Sequence, residues 1–214
     1  MSGSKSRRSE LAERLRLTLV VSQAEAQPRS VEQLAELAFA GGVTALQLRE
    51  KKLPGGELYR SALALARFCR ERGRLFIVND RLDIALASDA DGLHLGQTDL
   101  PLEAAAAHWP KSKILGLSAA LESQAQAGLA AGADYIGVGA IFATGSKTDA
   151  PTADRRQAAA VVALGAPTVA IGGLTVDNAA EIWRLGFAGL AVISALTTAS
   201  DPTDTARRLL AARP

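Results

Sequence analysis

Aromatic residues are scarce in this chain of 214: five Phe, two Trp and two Tyr make up 4 % of it. They leave little from which to build a stacking platform for nucleic acid or sugar. Cysteine is nearly absent. The single Cys69 excludes a disulfide framework and any cluster of thiolate metal ligands, a usage that points to the cytoplasm. It follows Phe68 in an apolar helical stretch and reads as a buried filler rather than a nucleophile. An excess of one charge is lacking too. Against 22 acidic residues stand 24 Lys and Arg, a net +2, so no broad field draws nucleic acid or a membrane surface and any basic site must be local. No uncharged run is long enough to span a bilayer. The apolar run 15–21 is broken by Arg16 and Thr18 and is too short for a signal-peptide core with a cleavage site. The polar, basic start (MSGSKSRRSE) reads as a disordered tail over residues 1–12, ahead of one domain over 13–214.

What is present is aliphatic. Hydrophobic residues make up 48 %, enough for a large core, and strand and helix signals alternate from about residue 15 to the end. The strand candidates are 15–21, 44–49, 75–79, 92–95, 113–118, 135–139, 168–172 and 189–194. Ser30 with Gln33 forms a capping-box pattern, Thr175 opens another helix with Asp177 in its first turn, and Asp201-Pro202 opens the last. Gly41-Gly42, Gly73, Gly132 and Gly186 sit just before strands, as helix exits with positive φ would. Eight strand–helix units with right-handed crossovers make either a closed barrel or an open doubly wound sheet. Polar residues at nearly every strand end favour the barrel, because an open sheet concentrates them at one switch point. The fold class is therefore α/β, a single (β/α)8 TIM barrel.

The strand ends carry the chemistry. Gln47, Arg49 and Lys51 share one parity and point the same way if the strand runs that far. A polar Gln47 facing a barrel interior needs a partner; the alternative for Arg49-Glu50-Lys51-Lys52 is a solvated loop of mixed charge. Asp80 and Asp99, on neighbouring strand tips without supporting Cys or His ligands, suit a hard cation such as Mg2+, which takes one or two carboxylates and fills its other positions with phosphate and water. Each Asp alone could instead cap a helix. Lys147 offers a compact charge for a phosphate or a leaving diphosphate, or decorates a solvated loop. Gly172-Gly173 after the seventh strand and Val192-Ile193-Ser194 at the eighth mark a backbone cup for phosphate, with a structural turn as the alternative for the glycines. His94, between leucines, reads as a hydrogen-bonded barrel residue and His108 as a surface helix end; neither is an evident general base.

Six strings, in order between about residues 15 and 210, resemble the thiamine-phosphate synthase family: LQLREK (46–51), FIVNDR (76–81), GLHLGQTD (92–99), YIGVG (135–139) followed by Ile141-Phe142 and Lys147, AIGG (170–173) and AVISA (191–195). The resemblance implies a barrel that joins a pyrimidine diphosphate to a thiazole phosphate, releasing thiamine phosphate and pyrophosphate. It implies that Gln47, Leu48, Arg49, Glu50, Lys51, Asn79, Ser118 and Lys147 bind the pyrimidine diphosphate, that Asp80 and Asp99 hold Mg2+, and that Thr144, Gly145, Ser146, Gly173, Ile193 and Ser194 hold the thiazole phosphate. Arg49, Ser118 and Lys147 would act in catalysis, within a largely dissociative reaction in which electrostatic stabilisation of the leaving group outweighs any general base. The partners implied are small molecules, with no nucleic acid and no membrane, and a homo-oligomer stays open.

The chain departs from the family where prolines are expected at Ala140, Ala143 and Gly145 and threonine at Ser146, and where Asp154-Arg155-Arg156 replaces small or apolar residues. Two rivals share the barrel. A thiazole tautomerase-like isomerase would carry a histidine shortly after Ser118, where this chain has Ala119-Ala120. A non-catalytic relative that binds thiamine intermediates would bind ligands without turnover.

Overall fold

The computed structural model describes residues 2–143 and 154–214, with side chains from residue 7 onward. Eight parallel strands close into a barrel in sequence order: β1 (Leu17–Val21), β2 (Ala45–Leu48), β3 (Leu75–Asn79), β4 (Gly92–Leu95), β5 (Ile114–Ser118), β6 (Tyr135–Val138), β7 (Thr168–Ile171) and β8 (Gly189–Val192). The helices are α1 (Ser2–Arg14), α2 (Gln23–Ala26), α3 (Val31–Ala40), α4 (Gly55–Glu71), α5 (Leu82–Ala87), α6 (Leu102–Ala106), α7 (Glu122–Ala130), α8 (Arg155–Ala163), α9 (Val176–Arg184), α10 (Ser194–Thr197) and α11 (Pro202–Ala211).

Strand parity sorts the side chains into two cores. Leu19, Leu46, Leu48, Phe76, Val78, Leu93, Leu117 and Val138 face outward into a continuous layer against the helices. Val20, Ala45, Leu75, Ile77, Ile114, Tyr135, Val169 and Ala191 form a second cluster inside the barrel. The two kinds of burial explain why the strands read as unbroken apolar runs. Inward glycines make room for larger neighbours. A Cβ on Gly116 would lie 2.2 Å from the Tyr135 ring, and one on Gly137 3.0 Å from the His94 ring.

The sequence caps hold. Ser30 and Gln33 form the box expected at α3, Thr175 opens α9, and Asp201 accepts the Asp204 N–H at α11. Of the paired exits only Gly42 takes positive φ, at 103°; Gly41 is at −84°. Asp154, one of the departures from the family pattern, caps α8 by accepting the Arg156 N–H at 3.0 Å.

One expectation is corrected. In place of a disordered tail over 1–12, the chain is helical from Ser2 to Arg14. Leu11 and, just past the helix, Leu15 join the barrel's inner cluster. Their four-residue spacing puts both on one helix face, and that apolar pair was hidden behind the polar start. Cys69 is buried as expected, and burial pushes its thiol up to about 12.

Candidate active site

At the carboxyl ends of the strands lies a cavity lined by residues from all eight strands. Each side chain reaches it through inward parity. Val20 pairs with Gln47, Asn79 with His94, His94 with Gly116 and Gly116 with Tyr135 across successive strands. These registers bring the polar residues of β2 to β6 onto one arc of the wall.

That arc is a hydrogen-bonded network. The Tyr135 hydroxyl lies 2.8 Å from His94 Nδ1, and His94 Nε2 lies 2.9 Å from Ser118 Oγ. Burial raises the Tyr135 pKa, and a hydrogen bond from Gln47 offsets this only in part. Gln47, Asn79 and His94 are all buried, so each needs such partners. Gln97 fixes the end of β5 by donating to the Ser118 carbonyl at 2.6 Å. At the inner end of the wall, Thr18 is 2 % exposed, and its hydroxyl has no partner among the described residues.

Beside the cavity sit the two carboxylates. Asp80 turns the chain at the end of β3 with φ 65°, and its N–H donates to the His94 carbonyl at 2.9 Å. It is therefore not the helix cap considered for it; Arg81 occupies that position of α5. Asp99 accepts the Gly96 N–H at 2.7 Å. Burial pushes the Asp80 carboxyl above its ordinary range, its hydrogen bond with Asp99 adds to this, and Lys51, ion-paired with Asp80, opposes it. Burial acts upward on Asp99 as well, but the hydrogen bond from Asp80 and the Gly96 N–H outweigh it and hold Asp99 low. Two neighbouring carboxylates, one of them ion-paired with Lys51, offer oxygen donors of the kind a hard cation accepts. Among the described residues no group of three or more His, Cys, Asp or Glu gathers. The donor set thus fits a hard ion that keeps water and substrate oxygens, and not a transition-metal cage.

The opposite arc joins apolar residues of β7 and β8 to a pair of glycines. Gly172 and Gly173 line the cavity with Ile193 and Ser194. Both glycines have positive φ, 101° and 64°, and a Cβ on either would meet the 140–143 segment at 2.7 Å. Their carbonyls accept from Phe142 N–H at 3.1 Å and Asn178 Nδ2 at 2.9 Å.

Of the residues singled out from sequence, Gln47, Arg49, Asn79, Ser118, Gly173, Ile193 and Ser194 line one cavity. Lys51 is ion-paired with Asp80, and neither these two nor Asp99 are among the residues lining that cavity. Leu48 packs outward against the helices, and Glu50 accepts the Gln23 N–H at the start of α2; neither side chain is among those lining the cavity. Thr144, Gly145, Ser146 and Lys147 lie outside the described residues. Tyr135 and Gln97 were not weighed as site residues, nor was Thr18. Tyr135 shares inward parity with Gly137, the one signal that could have exposed it.

Three comparisons bear on this arrangement. Residues 17–196 match the family model described as thiamine monophosphate synthase. The chain is similar to a thiamine-phosphate synthase of Coprothermobacter proteolyticus, 43 % identical over 203 residues that cover 94 % of this chain and 96 % of that one. One of Moorella thermoacetica is 49 % identical over 183 residues, covering 85 % and 87 %. A solved structure described as thiamine phosphate pyrophosphorylase from Pyrococcus furiosus superposes with a TM-score of 0.86 at 36 % identity, covering 94 % of this chain and 96 % of that one.

Proposed function

We propose that this chain, which belongs to the thiamine monophosphate synthase family, transfers a hydroxymethylpyrimidine group from its diphosphate to the ring nitrogen of hydroxyethylthiazole phosphate. The observation that carries the reading is the meeting, at one barrel end, of a carboxylate pair with local positive charge, a cavity whose wall carries Gln47, Asn79, His94 and Ser118 beside Arg49, and a glycine rim. Each part suits one piece of the reactants.

Gln47, Asn79 and Ser118 would hold the pyrimidine ring and orient its methylene carbon. Asp80 and Asp99 would hold Mg2+, which when bound supplies charge neutralisation for the diphosphate. Arg49 and Lys51 would place positive charge beside the same group. As the bond between the methylene carbon and the diphosphate oxygen breaks, that charge stabilises the pyrophosphate, and the electron-rich pyrimidine ring carries the positive charge left behind. The thiazole nitrogen then closes the new C–N bond. Gly173, Ile193 and Ser194 would anchor the thiazole phosphate through backbone N–H groups so that its nitrogen faces the methylene. No residue has to remove a proton from a nucleophile, which fits a wall whose one histidine is tied up on both ring nitrogens. A cytoplasmic enzyme of two small-molecule substrates is the setting this reading implies.

The test is incubation of the purified protein with both substrates and Mg2+, following pyrophosphate and thiamine phosphate together. Equal formation of both, abolished by a chelator, is expected. Binding of each substrate without product would instead assign a non-catalytic, ligand-holding role.

A further inference from the structure

The buried chain Gln47, Tyr135, His94, Ser118 has a direction. Heavy-atom distances alone do not reveal where the protons lie, but each group has a limited inventory. The Tyr135 hydroxyl has one proton to give, and neutral His94 has one N–H and one bare nitrogen. His94 Nδ1 and the Gln47 side chain both meet the Tyr135 oxygen. If the Gln47 amide donates there, the Tyr135 proton goes to His94 Nδ1, and the imidazole carries its own proton on Nε2. That N–H then donates to Ser118 Oγ, 2.9 Å away, and the serine proton is free to turn into the cavity. With every link reversed, Ser118 would spend its proton on His94 and show the cavity only lone pairs. A diphosphate offers nothing but acceptors, so only the first direction makes Ser118 useful to it.

We propose that Tyr135 and His94 are positioning residues that fix Ser118 as a hydrogen-bond donor toward the pyrimidine diphosphate, with His94 held as the neutral Nε2–H tautomer. This rests on the reading of Ser118 as a substrate contact. The arrangement is rigid by construction, since the Tyr135 ring fills the space a Cβ on Gly116 would take and the His94 ring lies 3.0 Å from where one on Gly137 would be. Cooperative chains of this kind polarise in one sense.

The chain has only two histidines, His94 and the exposed His108, which makes the test direct. Long-range proton–nitrogen NMR on the ligand-free protein, labelled at histidine, should show His94 as a single Nε2–H tautomer at pH 8. A single Nδ1–H tautomer would overturn the proposal without involving catalysis. In Tyr135→Phe the tautomer preference should relax, and kcat/KM for the pyrimidine diphosphate should fall about 10-fold, as expected when one hydrogen bond to a charged acceptor is lost. The double variant Tyr135→Phe/Ser118→Ala should be no worse than Ser118→Ala, because both break one chain. Additive losses would mean that Tyr135 acts elsewhere. If Ser118→Ala alone leaves the kinetics unchanged while wild type turns over, the substrate contact is wrong and the positioning role goes with it; if wild type gives no product at all, it is the proposed reaction that fails.

Discussion

The two arcs of the barrel mouth solve binding in different materials. From β2 to β6 the wall is made of side chains, in which Gln47, His94, Ser118 and Tyr135 satisfy one another, with Asp80, ion-paired to Lys51, at the tip of β3 beside it. From β7 to β8 apolar residues are joined by glycines at positive φ, packed so closely on residues 140–143 that no Cβ fits. A wall of side chains can discriminate a heterocycle and gather charge for a leaving group. A wall of backbone amides can seat a phosphate but reads little else. On the proposed reading, the difference is what would let one cavity keep two phosphorylated substrates apart.

Removing a carboxylate strikes the first arc hardest. Asp99→Ala or Asp80→Ala should lower kcat/KM by at least about 100-fold, the scale expected when several kcal/mol of charge stabilisation is lost, and should flatten the dependence of initial rate on Mg2+. Unchanged kinetics in both variants would remove the metal assignment. The second arc is attacked by Gly173→Val, whose Cβ would sit 2.7 Å from Phe142 Cβ and the Ala143 carbonyl at a backbone φ of 64°. It should raise the KM for the thiazole phosphate roughly 10-fold and lower stability by about 1–3 kcal/mol, the usual cost of such strain, with the pyrimidine KM much less affected.

Two smaller effects sharpen the contrast. Asp80 has its carboxyl raised above 3.8, with burial the largest cause. The folded state therefore binds that proton more tightly than the unfolded state, and the stability it contributes is present at low pH and lost as pH rises through the raised value. Mg2+ competes with the same proton, so the rise in melting temperature that it produces should grow over that interval. A metal effect independent of pH would separate the ion from Asp80. Thr18→Val removes the hydroxyl without a partner among the described residues, so the ligand-free protein should gain up to about 1 kcal/mol, or some 2–4 °C; a loss would reveal a partner for it.

Much of this was legible in the sequence, for reasons that differ by element. The strands announced themselves because burial on both faces leaves Leu75 to Val78 or Leu93 to Leu95 without an exposed position to break the run, and His94 alone among the leucines signalled a polar interior. Asp80 and Asp99 could be paired only because adjacent strand tips meet in a barrel. Leu48 and Glu50 were drawn in by lying in the same string as Gln47 and Arg49, although alternate parity sends Leu48 outward and the α2 backbone engages Glu50. Tyr135 stayed hidden because an aromatic at the start of a strand looks like core. Its role emerges only from the spatial meeting of β2, β4, β5 and β6. The helix at the start was masked by polar residues around Leu11, whose importance depends on a barrel end that needs closing.

The division of labour between the arcs is tested most directly by initial-rate kinetics on Asp99→Ala and Gly173→Val with each substrate varied in turn at several Mg2+ concentrations. The expected result is a crossed pattern: Asp99→Ala loses turnover and Mg2+ response with the thiazole phosphate KM nearly unchanged, while Gly173→Val weakens the thiazole phosphate and keeps the Mg2+ response. Equal effects of both substitutions on both substrates would contradict it, and the mouth would then have to be described as one undivided site.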